Sequence, residues 1–179
     1  MLVKRNKIHR MSLIALFAAL MCILSPISIP VGSVPITLAN LVVFLSCLLL
    51  GTKDGTLSCL VYILIGVLGL PVFSNFTSGL GVLLGPTGGY IFGYILTCLV
   101  SGVLVEKSRN KKVKLIGLLL GLVVSYLVGT LWYSYITKMD FLVSLLVCVV
   151  PFVIIDIVKI IISLVLSEMI LIRLNSKVK

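Results

Sequence analysis

Long apolar runs, broken by short polar or glycine- and proline-rich stretches, fill the chain from Met11 to Arg173. Such runs predict membrane-spanning helices, since a helix needs ~20 apolar residues to cross a hydrocarbon core of ~30 Å. Six are predicted: Met11 to Leu24, Ile36 to Leu50, Leu57 to Leu70, Pro86 to Val105, Val113 to Tyr133, and a last one ending near Arg173. The first three are short for a full crossing, so their ends or the flanking loops must lie within the bilayer thickness. Irregular backbone at that depth has to be buried in protein or line a cavity, because lipid offers it no hydrogen bonds.

The last run requires a break. Phe141 to Arg173 is 33 residues, ~50 Å as one helix and too long for an ordinary span. Pro151 disrupts a helix interior but suits a first turn, so "DFLVSLLVCVV" is predicted as a short separate helix, with the spanning helix starting near Pro151.

Composition agrees with a single membrane domain, comprising a basic tail (1–10), a six-helix all-α bundle (11–173) and a second basic tail (174–179). The chain is 60% hydrophobic and 11% charged, with a mean hydropathy of +1.31, far from soluble domains. A net charge of +10 over 179 residues would point to nucleic acid in a soluble protein, but here its placement decides. Of 15 Lys and Arg, all but Lys138 and Lys159 fall at alternate ends of the runs, so 13 lie on one side. That asymmetry predicts a plasma-membrane protein with both termini cytoplasmic and no nucleic-acid partner. The basic and then apolar N-terminus resembles a signal peptide, but no clear A-x-A pattern follows, and an uncleaved first span is the better reading.

On this orientation the outer loops are Ser25 to Pro35, Pro71 to Gly85 and Ser134 to Asp140. The first carries three prolines and the second carries polar side chains among aromatics and glycines, whereas the inner "GTKDGT" is a tight turn and "EKSRNKKVK" a charged one. A pocket opening outward is therefore expected. Gly85, Gly89 and Gly93 recur every four residues, as do Gly117, Gly121, Ser125 and Gly129, the small-xxx-small pattern of closely packed membrane helices. Ala15 and Ala19 share that spacing, which leaves internal packing and binding to another membrane protein both open. The five cysteines lie singly in apolar segments, without metal-ligand or disulfide spacing. "GPTGGY" lacks the Lys-Ser/Thr ending of a phosphate loop. No catalytic triad, metal cluster or cofactor motif is recognisable.

Two charges stand apart. Asp156 and Lys159, in "PFVIIDIVKIII", are the only charged residues well inside an apolar run, and their i, i+3 spacing puts them on one helix face. An intramembrane ionisable pair marks a functional site unless it merely neutralises itself. As a site it would attract an anionic group through Lys159 and accept N–H donors at Asp156.

"VPITLANL", "GVLGLPVF", "GLGVLLGPTGGYIFGY", "GTLWY" and "PFVIIDIVK", in this order, resemble the BioY family of biotin-binding S components of energy-coupling factor (ECF) transporters. The resemblance implies a six-helix protein that captures biotin outside and delivers it inward with a transmembrane scaffold subunit and two ABC-type ATPases. It needs no cofactor of its own, and biotin is its substrate. It further implies that the biotin carboxylate meets Lys159 and the ureido N–H groups meet Asp156. Asn75 and Tyr90 would contact the ring, with Thr87, Gly88 and Gly89 presenting backbone to the ligand. Ser25 to Thr37 would act as a lid, and Ala15 and Ala19 would face the scaffold subunit. Two positions depart from the family pattern: Ala39, where a glutamine is common, and Ile154 with Ile155, where Pro-Gly often precedes the aspartate. The other readings are an S component for a different vitamin, a small intramembrane enzyme and a ligand-free structural membrane partner.

Overall fold

A computed structural model describes residues 6–32, 34–108 and 110–176; Lys4, Arg5, Arg109, Lys177 and Lys179 of the basic clusters lie outside them. Among the described residues, eight α-helices and one β-hairpin follow in the order α1 (Lys7–Leu24), β1 (Ser28–Val31), β2 (Val34–Thr37), α2 (Ala39–Leu49), α3 (Thr52–Val67), α4 (Leu80–Leu84), α5 (Gly88–Lys107), α6 (Lys111–Thr137), α7 (Phe141–Cys148) and α8 (Val150–Ser176). Four of these, α1, α5, α6 and α8, are long and apolar enough to cross a membrane. The predicted second span is realised as the shorter α2, of 11 residues, and the third as α3, which starts at Thr52 rather than Leu57 and runs 16 residues. The break near Pro151 is present: α7 ends at Cys148, and Pro151 occupies the first turn of α8, where its missing N–H costs no helical bond.

The principal correction concerns the first loop. Ser28–Val31 and Val34–Thr37 form an antiparallel ribbon pairing Ser28 with Thr37, Ile29 with Ile36 and Pro30 with Pro35. Ile36 is thus in a strand, and α2 begins only at Ala39. The prolines do not prevent this. Neither has an N–H, and because they face each other their absence falls on one non-bonding rung, leaving the ladder bonds to the neighbouring pairs. Gly32, at φ +65°, supplies the left-handed conformation that a two-residue loop needs. The fourth span also starts later than expected: Pro86 sits in a turn between α4 and α5, and the helix begins at Gly88.

Helices α5 and α6 form the most extensive contact in the molecule, through the two small-residue rows. A Cβ on Gly93 would overlap Ser125, one on Gly121 would overlap Ser101, and one on Gly129 would overlap the Tyr90 ring. Thr97 and Ser101 donate to the carbonyls of Gly121 (3.1 Å) and Gly117 (2.9 Å), so backbone approach and interhelical hydrogen bonding occur together. The thiols of Cys47 and Cys59 each lie 3.5 Å from that of Cys98. They fill a buried junction of α2, α3 and α5 as small, polarisable groups.

At the basic end, acidic residues tie elements together. Arg10 grips Asp54 with two hydrogen bonds of 2.6 and 3.1 Å, linking α1 to α3. Glu106 accepts from the backbone N–H of Thr52 at 2.7 Å, placing a carboxylate where α3 begins. Lys111 and Glu168 pair at 2.7 Å, joining α6 to α8.

At the opposite end the hairpin is held to the turn at Ser74–Phe76. Ser28 Oγ donates to Asn75 Oδ1 at 2.7 Å and accepts from the Asn75 backbone N–H at 2.9 Å. Asn75 adopts φ +56°, which asparagine tolerates better than most residues. Each such bond contributes about 0.5–1.5 kcal/mol net. Replacing Ser28 with alanine is therefore expected to raise amide exchange across residues 28–37 by roughly tenfold while leaving α5 and α6 unchanged. Unaltered exchange in the hairpin would show that other contacts hold it.

Candidate functional site

Asp156 and Lys159 lie on the inward face of α8, 2% and 6% exposed. Lys159 Nζ donates to Asp156 Oδ1 at 2.7 Å. The second carboxylate oxygen, Oδ2, accepts from Tyr126 Oη of α6 at 2.7 Å and from Asn40 Nδ2 of α2 at 3.2 Å. A buried ion pair is tolerable only when such additional donors satisfy its remaining lone pairs, and three elements contribute to this one. Further along α8, Ser163 Oγ donates to the Lys159 carbonyl at 2.7 Å.

The pair forms part of the wall of a cavity lined also by Val34, Thr37, Tyr90, Tyr94 and Phe152. Residues of β2 border it, so the hairpin closes over the charges. Its volume of ≈ 40 Å³ accommodates a few waters rather than a vitamin-sized molecule. A second small cavity shares Val34, Thr37, Tyr90 and Tyr94 with the first and adds Ser25, Tyr62, Ser74 and Thr87. Ser25 and Tyr62 hydroxyls are 2.7 Å apart there. Tyr90 and Tyr94 thus stand between a charged lobe and a hydroxyl-lined lobe. The Tyr90 hydroxyl is held at its far end, 3.3 Å from Thr130 Oγ1 and 3.4 Å from the Cys148 carbonyl, to which it donates.

The residues expected from the sequence divide accordingly. Asp156, Lys159 and Tyr90 come together, and Thr87 lines the second lobe. Asn75 lines neither cavity and instead holds the hairpin. At Gly88 and Gly89 the space a side chain would need is taken by protein: a Cβ on Gly88 would strike the Leu83 backbone and one on Gly89 would strike Trp132. Trp132 is itself anchored, Nε1 donating to the Gly85 carbonyl at 2.9 Å. Ala15 and Ala19 are exposed on α1, so internal packing does not explain their spacing. Ala39 is fully buried, and α8 runs as regular helix through Ile154 and Ile155.

Sequence reasoning missed Asn40, Tyr94 and Tyr126. The available signal was a polar or hydroxylated side chain inside an apolar run, the feature that singled out Asp156. Among the described residues no His, Cys, Asp and Glu cluster is arranged to hold a metal ion.

Comparison with known proteins identifies the family. The BioY family profile matches residues 2–176. The biotin transporter BioY of Thermotoga maritima is 43% identical over 148 residues, 83% of this chain and 87% of that protein. A probable biotin transporter BioY of Pyrococcus horikoshii is 38% identical over 162 residues, covering 90% and 96%. The crystal structure of the S component for biotin from an ECF-type ABC transporter superposes with a TM-score of 0.87 at 30% identity, covering 95% of this chain and 94% of that one. With these matches spanning nearly its whole length, the chain belongs to the BioY family.

Proposed function

We propose that this protein is the substrate-binding subunit of an ECF-type biotin importer, which captures biotin beneath the Ser28–Thr37 hairpin and hands it inward with an ATP-driven module. The observation that carries this reading is the buried Asp156–Lys159 pair, bordered by Tyr90, Tyr94 and Tyr126. A neutral, doubly hydrogen-bonding group fits such a pair: its N–H donates to the carboxylate and its C=O accepts from the ammonium. The ureido group of biotin has both functions on adjacent atoms, and the tyrosines offer apolar faces to the fused rings.

The 2.7 Å contact refines the division of roles expected from the sequence. Biotin carries its carboxylate at the end of a flexible tail, away from the ureido ring, so one ion pair receives one end of it. A ligand carboxylate against Lys159 would also lie against the Asp156 carboxylate in a poorly solvated site, where like charges repel strongly. The ureido end avoids this, leaving the carboxylate for the hydroxyl-lined lobe at Ser25, Ser74 and Thr87.

The same proposal orients the chain. Six crossings arise if α2 and α3 count as spans; α2 rises only about 16 Å as a helix, and the hairpin preceding it supplies the remaining depth. Both termini then lie on the cytoplasmic side with the basic clusters. The exposed Ala15 and Ala19 give α1 a smooth face for a transmembrane scaffold helix, with two ABC-type ATPases completing the complex.

Charge-assisted hydrogen bonds contribute about 1.5–3 kcal/mol, so Asp156→Asn and Lys159→Ala should each weaken biotin by at least roughly tenfold in equilibrium binding to the purified protein. Biotin amide should suffer the same factor. If Lys159→Ala weakened biotin but spared the amide, the carboxylate would belong at Lys159; if neither substitution mattered, the site would lie elsewhere. A further expectation concerns α1: Ala15→Leu or Ala19→Leu leaves biotin binding intact and blocks energised uptake by cells. Lost binding in the purified variants would contradict a partner-facing role.

A further inference from the structure

Asn40 has one half of its amide accounted for. Nδ2 donates to Asp156 Oδ2 at 3.2 Å, which fixes the orientation of the group, because a carboxylate paired with Lys159 can only accept. Oδ1 then points elsewhere, and it is buried without a hydrogen-bond partner among the described residues. Unpartnered buried acceptors are costly and uncommon, so each calls for a physical reason.

Three other buried oxygens share this condition among the described residues, on Thr52, Thr56 and Ser144. Those are hydroxyls, which donate as well as accept and rotate to suit a neighbour. The Asn40 amide has no such freedom while Nδ2 holds Asp156. Of the four residues, only Asn40 lines the cavity at the ion pair. The nearby donors do not relieve it: the single Tyr126 hydroxyl hydrogen goes to Asp156, and no N–H of Lys159 reaches Oδ1 although that ammonium has three. A donor for Oδ1 must come from outside, and the cavity has to widen for any vitamin-sized guest, which uncovers the atom.

We propose that Asn40 Oδ1 accepts a hydrogen bond from an N–H of the ligand, making Asn40 a specificity residue that touches substrate as well as supporting Asp156. The inference rests on the biotin reading of this site. It identifies the favoured ligand as one with two N–H donors, one for Asp156 and one for Asn40, as a cyclic urea has. A ligand lacking either N–H would leave a buried acceptor unpaired, the arrangement that gives a site its strongest discrimination.

A double-mutant cycle with altered ligands tests this. Wild type and Asn40→Leu are titrated with biotin and with the two isomeric cyclic carbamates, in each of which one ureido N–H is replaced by oxygen. Asn40→Leu should weaken biotin by roughly tenfold. One carbamate isomer should already bind wild type about tenfold more weakly and lose less than about threefold further in the variant, since its missing donor is the one Asn40 accepts. Equal losses for all three ligands would overturn the proposal and restrict Asn40 to positioning Asp156. No loss for biotin would remove Asn40 from the site. Failure of wild type to bind biotin at all would refute the biotin reading and this inference with it. Asn40→Ala provides the same cycle should the leucine variant not fold.

Discussion

Placing two opposite charges on α8 inside an apolar bundle constrains everything around them. Neither Asp156 nor Lys159 can be buried alone, since removing one partner of such a pair typically costs about 3–5 kcal/mol by leaving an uncompensated charge. Their spacing of one helical turn lets them meet, and the remaining carboxylate valence draws in Tyr126 from α6 and Asn40 from α2. One ion pair therefore fixes where three elements converge. It also creates a place in the membrane where a polar guest finds ready partners.

The rest of the fold supports that point from two directions. Interlocked small residues bring α5 against α6, so Tyr90 and Tyr126 project from one rigid wall, with Gly129 leaving room for the Tyr90 ring. The opposite boundary is the short hairpin, joined to the Ser74–Phe76 turn through Ser28 and Asn75 and packed through the buried Val34 against Tyr133, Cys148 and Phe152. At the basic end, the Arg10–Asp54, Thr52–Glu106 and Lys111–Glu168 ties brace the helices against one another.

Much of this was legible from the chain because membrane chemistry makes rare residues informative. Charges inside an apolar run are so costly that Asp156 and Lys159 announced themselves, and the four-residue rows of glycine and serine predicted the α5 and α6 interface. Pro151 located the break before α8. The hairpin was hidden because three prolines read as irregular chain; only the cross-strand register, with Pro30 opposite Pro35, makes them compatible with a ladder. Asn40 and Tyr126 were hidden for a different reason. A single polar side chain in an apolar run acquires meaning only when its depth matches that of a partner on another helix. Gly88 and Gly89 are a third case, since a glycine signals close approach without saying to what, and here the places their Cβ atoms would take are filled by Leu83 and Trp132.

The decisive measurement is the structure of the protein with biotin bound, at a resolution that distinguishes the ring from the tail. The ureido ring should lie against Asp156 and Lys159, with the hairpin displaced from its present position over the pair and the cavity enlarged between Tyr90 and Tyr126. Biotin bound elsewhere, with the Asp156–Lys159 contact and its Tyr126 and Asn40 bonds undisturbed, would contradict this placement and make the pair a purely structural device.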